Sequence, residues 1–336
     1  MKMRTPRWWY DRHPRASLSR ALLAPASWIW AAVTARRIAR AAPTDPGVPM
    51  ICIGNLTMGG SGKTPIVRTV TARLIARGLK AEVLTRGHGG RLTGPLRVDP
   101  AVHGAADVGD EPLMLARDAA VWVARDRLAG ARAAAAAGAR ALVMDDGYQN
   151  MRLAKTLSLV VVDGETRDGE WPFGDGAVFP MGPMREPLAA GLARADAVVL
   201  LIPADLAEPD LALVGLFGAT PVLIARLEPV GPPPSGPQIG FAGVGKPWKV
   251  ERALVAAGCD LIDFVPLPDH AAPDESQLRR LEDQAKAAGA GLVTTEKDWV
   301  RLPSEWRARI VAWPVHARFE DEAALDALLA RIERRR

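Results

Sequence analysis

Residues 48–65 read Val-Pro-Met-Ile-Cys-Ile-Gly-Asn-Leu-Thr-Met-Gly-Gly-Ser-Gly-Lys-Thr-Pro: an apolar run able to end a buried strand, a glycine-rich turn, and a Lys-Thr pair opening a helix. Strand, loop, Lys-Thr and helix in that order make a phosphate-binding loop and imply a nucleoside triphosphate site. The loop runs through Thr57, Met58, Gly59, Gly60, Ser61, Gly62, Lys63 and Thr64. Its glycines let successive backbone N–H groups turn inward on phosphate oxygens, and the helix that follows adds its positive end. Lys63 is placed to reach the β- and γ-phosphates of ATP, and the Thr64 hydroxyl to ligate Mg²⁺. Thr57 stands where the pattern has its first glycine, so the loop is a variant. Pro65 suits a first helical turn, Ile66, Val67, Val70 and Leu74 form a buried stripe, and Gly78 ends the helix.

A magnesium nucleotide also needs a carboxylate at the end of a neighbouring strand. Ala141-Leu142-Val143-Met144 running into Asp145-Asp146-Gly147 supplies two candidates, at the sheet edge where ligands of α/β proteins bind. Strands are expected at 81–85, 120–124, 140–144, 157–162 and 196–202, with helices beginning near 64, 111, 126, 187 and 206. That alternation defines an α/β fold: a P-loop NTPase-like parallel sheet sandwiched by helices. The Pro/Gly cluster 229–237 breaks the rhythm and serves as a linker. Beyond it a smaller α/β domain is expected over 238–336, with helices at 247–257, 275–288 and 321–335 and strands at 238–243, 260–265 and 291–295. The first domain is then 42–228.

The chain has 336 residues, too many for one ordinary core, and only two cysteines, Cys52 and Cys259, which make no disulfide or metal pattern. Residues 1–41 carry nine Lys/Arg against one acid, Asp11, while the remainder is slightly acidic. This asymmetry argues against a nucleic-acid groove, which would spread its positive charge over a face. Within the basic segment Leu18, Leu22, Pro25, Ile29 and Val33 fall near one helical face, ahead of Arg36, Arg37 and Arg40. Apolar residues beside clustered arginines suit a helix lying on an anionic membrane surface. The uncharged window 21–35 is shorter than the ~20 apolar residues a spanning helix needs.

Gly54-Asn55-Leu56-Thr57 with the loop after it, Thr85-Arg86-Gly87-His88-Gly89, Val108-Gly109-Asp110-Glu111-Pro112, Asp145-Asp146-Gly147-Tyr148-Gln149, Pro183-Met184-Arg185-Glu186-Pro187, Pro268-Asp269-His270 and Thr295-Glu296-Lys297-Asp298 follow one another along nearly the whole chain. In this combination and order they resemble the tetraacyldisaccharide 4′-kinase family. The resemblance implies two α/β domains with ATP between them, at the cytoplasmic face of the bacterial inner membrane. It also implies transfer of the γ-phosphoryl of ATP to the 4′-hydroxyl of an acylated glucosamine disaccharide 1-phosphate. By the same resemblance Asp110 and His270 form a catalytic pair, and Glu111 joins Asp145, Asp146 and Thr64 near the metal. Arg185 and Arg127 neutralise phosphate charge, and His88, Asn55 and Gln149 line the site. His88 replaces the family's usual Tyr, and Ala271-Ala272 replace a second His or aromatic. Lys297 and Asp298 read as a helix-start ion pair. A membrane-associated P-loop switch or partitioning ATPase would share the loop, the acidic strand end and the basic helix, but would give no phosphorylated acceptor.

Overall fold

The computed structural model describes residues 6–13, 18–269, 271 and 273–334. Eight strands come first: β1 (Met50–Gly54), β2 (Ala81–Thr85), β3 (Leu96–Arg97), β4 (Val121–Val123), β5 (Ala141–Asp145), β6 (Leu157–Asp163), β7 (Ala197–Pro203) and β8 (Val222–Pro229). β1 pairs in parallel with β5 on one side and β6 on the other. Every residue of β1, β2 and β5 is buried, as continuous apolar runs require in a parallel sheet covered on both faces. The chain runs from β1 to β2 on one side and later crosses from β5 to β6 on the other, so the C-terminal end of β1 borders the switch point of the sheet, where a crevice opens.

A second sheet follows: β9 (Gln238–Ala242), β10 (Leu261–Pro266), β11 (Gly291–Thr295) and β12 (Ile310–Trp313), all parallel and ordered β10-β9-β11-β12. The chain then returns. β13 (Val315–Phe319) pairs antiparallel with β8, completing a nine-stranded sheet ordered β13-β8-β7-β6-β1-β5-β2-β4-β3. The helix Glu322–Glu333 buries Leu325, Leu329 and Ile332 in the core of that larger sheet. The expected second domain over 238–336 is therefore cut short, and its own sheet ends at Trp313. Neither β8 nor β13 stood out in the sequence, and β13 meets its partner β8 only across the whole inserted unit. The crossings into and out of the inserted unit lie side by side, with Val230 N–H donating to Pro314 O at 2.8 Å.

Near the other end of the chain, α1 (Leu18–Ala39) packs through one face and exposes the other. Ser27 is buried and donates to Val178 O at 2.6 Å, and Trp30 meets the Phe179 ring edge-on at 4.9 Å between centroids. Leu22, Ile29 and Val33 point away, each more than half exposed, as does Trp28. Leu22, Ile29 and Val33 stand at i, i+7 and i+11, on the one face read from the sequence, so the apolar stripe is real but covers nothing within the described residues. No helix among the described residues is long and apolar enough to cross a membrane.

Since Leu329 is fully buried against the large sheet, Leu329→Ala should destabilise the nucleotide-loop unit by about 3 kcal/mol, the cost of a lost core side chain plus its cavity. Urea titration followed by proteolysis of the 42–228 region checks this. A loss confined to residues 238–313 would contradict the placement of the last helix.

Candidate active site

The loop after β1 takes its shape from glycine where nothing else fits. Gly62, the residue before α2 (Lys63–Ala76), has φ +72°, and a Cβ there would come within 2.4 Å of Leu201 Cδ2. This left-handed residue turns the chain sharply into the helix. The front of the loop is tied down from outside: Met58 N–H donates to Pro183 O at 2.7 Å, and Arg185 Nε donates to Thr57 O at 2.9 Å. Tyr10 of the N-terminal segment donates its hydroxyl to Met58 O at 3.3 Å. Thr57 and Met58 thus serve the anchoring of the loop, while Gly59 to Gly62 form the turn itself and Lys63 and Thr64 open the helix. Asn55 and Ser61 are buried, and Asn55 Oδ1 and Ser61 Oγ have no hydrogen-bond partner. Buried polar atoms are normally paired, so two orphans within one loop mark a place made for a polar guest.

The two acids at the end of β5 part company. Asp146 turns outward with φ +48°, the one non-glycine in the left-handed region among the described residues. Its carboxylate receives Arg185 at 2.9 Å and stands 3.6 Å from Lys63 Nζ. Burial opposes its charge, but Lys63 and Arg185 outweigh it and hold the group below the ordinary carboxylate range. Backbone strain of this kind persists where surrounding contacts over-determine it, and sites of chemistry are the usual place. Asp145 stays inside the sheet edge, 2% exposed, and its Oδ1 has no partner. Burial first, and the nearby Glu111 second, push it up to about 7.

Arg185 is the organiser of the rim. Besides Asp146 it donates to Gln149 Oε1 at 3.0 Å, and Gln149 in turn donates to Asn55 O at 3.0 Å and to the buried Glu186 at 3.1 Å. Arg185, Asp146, Gln149, Asn55 and Lys63, proposed from separate stretches of sequence, are therefore one connected network. Arg127 sits deeper, 7% exposed, donating to Ala124 O at 2.9 Å, with burial and Arg86 lowering its pKa. A buried guanidinium whose Nε has no partner is electrostatically available to an incoming anion.

On the opposite side the His88 loop and the Asp110 turn touch backbone to backbone. Gly109 has φ +94°, and a Cβ on it would lie 2.4 Å from His88 O, so only glycine permits the approach. Asp110 and Glu111 then open a short helix, Asp110–Leu115. Glu111 accepts from Lys297 of the inserted unit at 2.8 Å. Burial raises Glu111, but Lys297 and then Lys63 prevail and keep it low. The expected Lys297–Asp298 pair does not form. Thr295 caps that turn by accepting from Asp298 N–H at 3.1 Å, freeing Lys297 to cross to Glu111 and Asp298 to engage Arg301 at 2.9 Å. His270 lies outside the described residues. Sequence reasoning missed Arg301, whose spacing three residues after Asp298 on a helical turn was the available signal.

Among the described residues no three His, Cys, Asp or Glu side chains gather as a metal cage. A divalent ion here would lean on phosphate oxygens and water, the usual habit of Mg²⁺ in nucleotide sites.

A phosphate-binding loop at the switch point of a parallel sheet, with lysine, arginine and strand-end acids around it, defines a P-loop nucleotide-dependent phosphotransferase. Residues 19–333 match the model of the family described as LpxK, tetraacyldisaccharide-1-P 4′-kinase, and the chain belongs to that family. It is 68% identical over 330 residues to the tetraacyldisaccharide 4′-kinase of Phenylobacterium zucineum, covering 98% of this chain and 99% of that one. Against the Caulobacter vibrioides protein of the same description it is 64% identical, with 98% of each chain covered. The fold matches a crystal structure of the "apo" form of LpxK from Aquifex aeolicus in complex with ATP, with a TM-score of 0.74 and 24% identity over 94% of this chain and 99% of that one.

An acid whose folded pKa exceeds its unfolded one binds more protons when native, so Asp145 costs stability as pH climbs from 3.8 through about 7. Asp145→Asn should therefore raise the thermal midpoint of the nucleotide-free protein at pH 8, and leave it nearly unchanged at pH 4, while abolishing turnover. Calorimetry at the two pH values checks the sign.

Proposed function

We infer that the protein is an ATP-dependent kinase of lipid A biosynthesis. It transfers the γ-phosphoryl group of ATP to the 4′-hydroxyl of a tetraacylated glucosamine disaccharide 1-phosphate. Membership of the 4′-kinase family over 19–333 is the observation that carries this reading. The network around the loop supports the assignment of parts. Lys63 and Arg185, both now facing Asp146, are cations placed to take over the charge of the transferring group. Asp146 keeps the two from repelling each other before a nucleotide arrives.

The residues fit a magnesium ion: Asp145 holds a buried carboxylate oxygen that lacks a partner, one residue from the acid that faces Lys63. With the Thr64 hydroxyl it would hold Mg²⁺, which when bound neutralises phosphate charge. Sugar hydroxyls are weak nucleophiles at neutral pH, so a base must accept the proton as transfer proceeds. Asp110 and His270 take that role as a pair. The placement of the neighbouring loop favours it, because Pro268 and Ala271 pack against Gly243, and Gly243 O accepts from the same Arg301 that binds Asp110.

The acceptor carries long acyl chains, and α1 offers it a bilayer. The uncovered stripe of Leu22, Ile29 and Val33, followed by Arg36, Arg37 and Arg40, suits the interface of an anionic leaflet, and supports a peripheral position on the cytoplasmic side of the inner membrane. The apolar side of this helix buries acyl-level contacts while the arginines meet lipid phosphates.

Incubation with labelled ATP and the tetraacyl disaccharide 1-phosphate should give a product heavier by one phosphate. ATP hydrolysis with no acceptor product would instead fit a nucleotide switch. Lys63→Ala should lower kcat/KM by about 10³-fold or more through loss of phosphate stabilisation. Asp110→Asn and His270→Ala should each depress kcat far more than ATP affinity, and together far less than the product of the two single losses. Leu22→Ser, Ile29→Ser and Val33→Ser combined should release the protein from vesicles rich in phosphatidylglycerol while turnover on a short-chain, micelle-dispersed acceptor persists. Unchanged sedimentation with vesicles would remove the membrane reading.

A further inference from the structure

The turn Glu296–Trp299 and the residues just after it reach across to the large sheet at three points. Glu296 accepts from Arg68 Nη2 at 3.2 Å, Lys297 donates to Glu111 at 2.8 Å, and Arg301 Nε donates to Asp110 Oδ2 at 3.0 Å, with Nη2 engaging the same oxygen. The first two are ion pairs across the seam between the units. The third differs in construction. The Arg301 side chain is 7% exposed and is braced from behind by Asp298, whose side chain is wholly buried, at 2.9 Å, and by Gly243 O at 3.2 Å. Asp298 is fixed in turn by the Thr295 hydroxyl at 2.7 Å and Gly243 N–H at 3.0 Å.

Burying a guanidinium between two carboxylates is expensive in desolvation, and two units could be docked more cheaply by apolar contact. What such an arrangement gives is orientation. With Oδ2 held by a braced arginine, the Asp110 carboxylate cannot rotate, and Oδ1 faces the Gly87-His88-Gly89 loop, 4.0 Å from where a Cβ on Gly89 would sit. The brace and the carboxylate belong to different units, so the alignment exists only while the inserted unit is docked.

We propose that Arg301 is a positioning residue for phosphoryl transfer: from the inserted unit it locks the Asp110 carboxylate in the orientation that presents one oxygen to the reacting side. This rests on Asp110 being part of the proton-accepting pair. It also gives the Thr295-Glu296-Lys297-Asp298 motif a task, since Thr295 and Asp298 build the brace and Glu296 and Lys297 dock it. The arginine acts through Asp110 and needs no contact with ATP or lipid.

The experiment compares Asp110→Asn, Arg301→Met, Arg301→Lys and Glu296→Gln in the full-length protein, with kcat, KM for ATP and binding of a non-hydrolysable ATP analogue measured for each. Arg301→Met should lose about 10²-fold in kcat, the scale of a misplaced catalytic group, with KM and analogue binding within about threefold of the parent. Arg301→Lys, which keeps charge but not the fork, should recover part of that loss and serves if the neutral variant fails to fold. Arg301→Met combined with Asp110→Asn should be no slower than Asp110→Asn alone. Glu296→Gln, which removes one seam ion pair but leaves the Lys297–Glu111 and Arg301–Asp110 contacts to keep the unit docked, should cost little. If Asp110→Asn is impaired while Arg301→Met turns over at the parent rate, or Glu296→Gln is as slow as Arg301→Met, the positioning role is overturned and the assignment of Asp110 stands. Near-parent turnover in Asp110→Asn would remove the assignment and the positioning role together.

Discussion

The structure depends on a charge imbalance held at the end of one strand. Asp145 is an acid in a dry place without a hydrogen bond for one of its oxygens, and its neighbour Asp146 is strained into a left-handed conformation to meet Lys63 and Arg185. A nucleotide site needs opposite charges close together yet uncommitted to each other. Here this is solved by sending adjacent carboxylates to different jobs: one keeps the cations quiet, and the other stays empty-handed. The rest of the fold serves that division, with the parallel sheet bringing β1 and β5 together and Gly62 steering the loop into its helix.

Much of this was legible in the chain. The phosphate-binding loop announces itself because its glycines, lysine and hydroxyl must be consecutive, and the strands at 81–85, 157–163 and 291–295 announce themselves as short apolar runs between turn residues. The joining of β13 to β8 was not legible, since pairing between strands separated by a whole folded unit leaves no local mark. The same reason hid Arg301. A residue that works by reaching another unit looks, in sequence, like any arginine on a polar helical turn. Lys297 and Asp298 were misread for a related reason: proximity along the chain suggested they pair, whereas the Thr295 cap splays them toward different partners.

The N-terminal segment has two duties that sequence periodicity merges into one. Its exposed stripe is what periodicity detects, but the opposite side reaches the centre of the site: Tyr10 bonds the loop at Met58, and Trp30 Nε1 donates to Arg185 O at 3.0 Å. A helix that reaches the arginine from one side and bares an apolar stripe on the other is a mechanical part of the enzyme as well as its proposed anchor. Variants that alter only the outer stripe therefore separate the two duties, which wholesale truncation could not.

Val315 stands opposite Pro229 in the antiparallel pairing of β13 with β8. Topologically these strands are a hairpin whose tip has been opened to admit everything from residue 230 to residue 314. Both ends of the guest leave through the same narrow neck, so bending there swings it as a single body without disturbing any rung of the host ladder. The neck is also a natural place to cut: sealing the hairpin with a tight turn would yield a miniature that keeps its loop, acids and N-terminal helix, but with no partner to meet them.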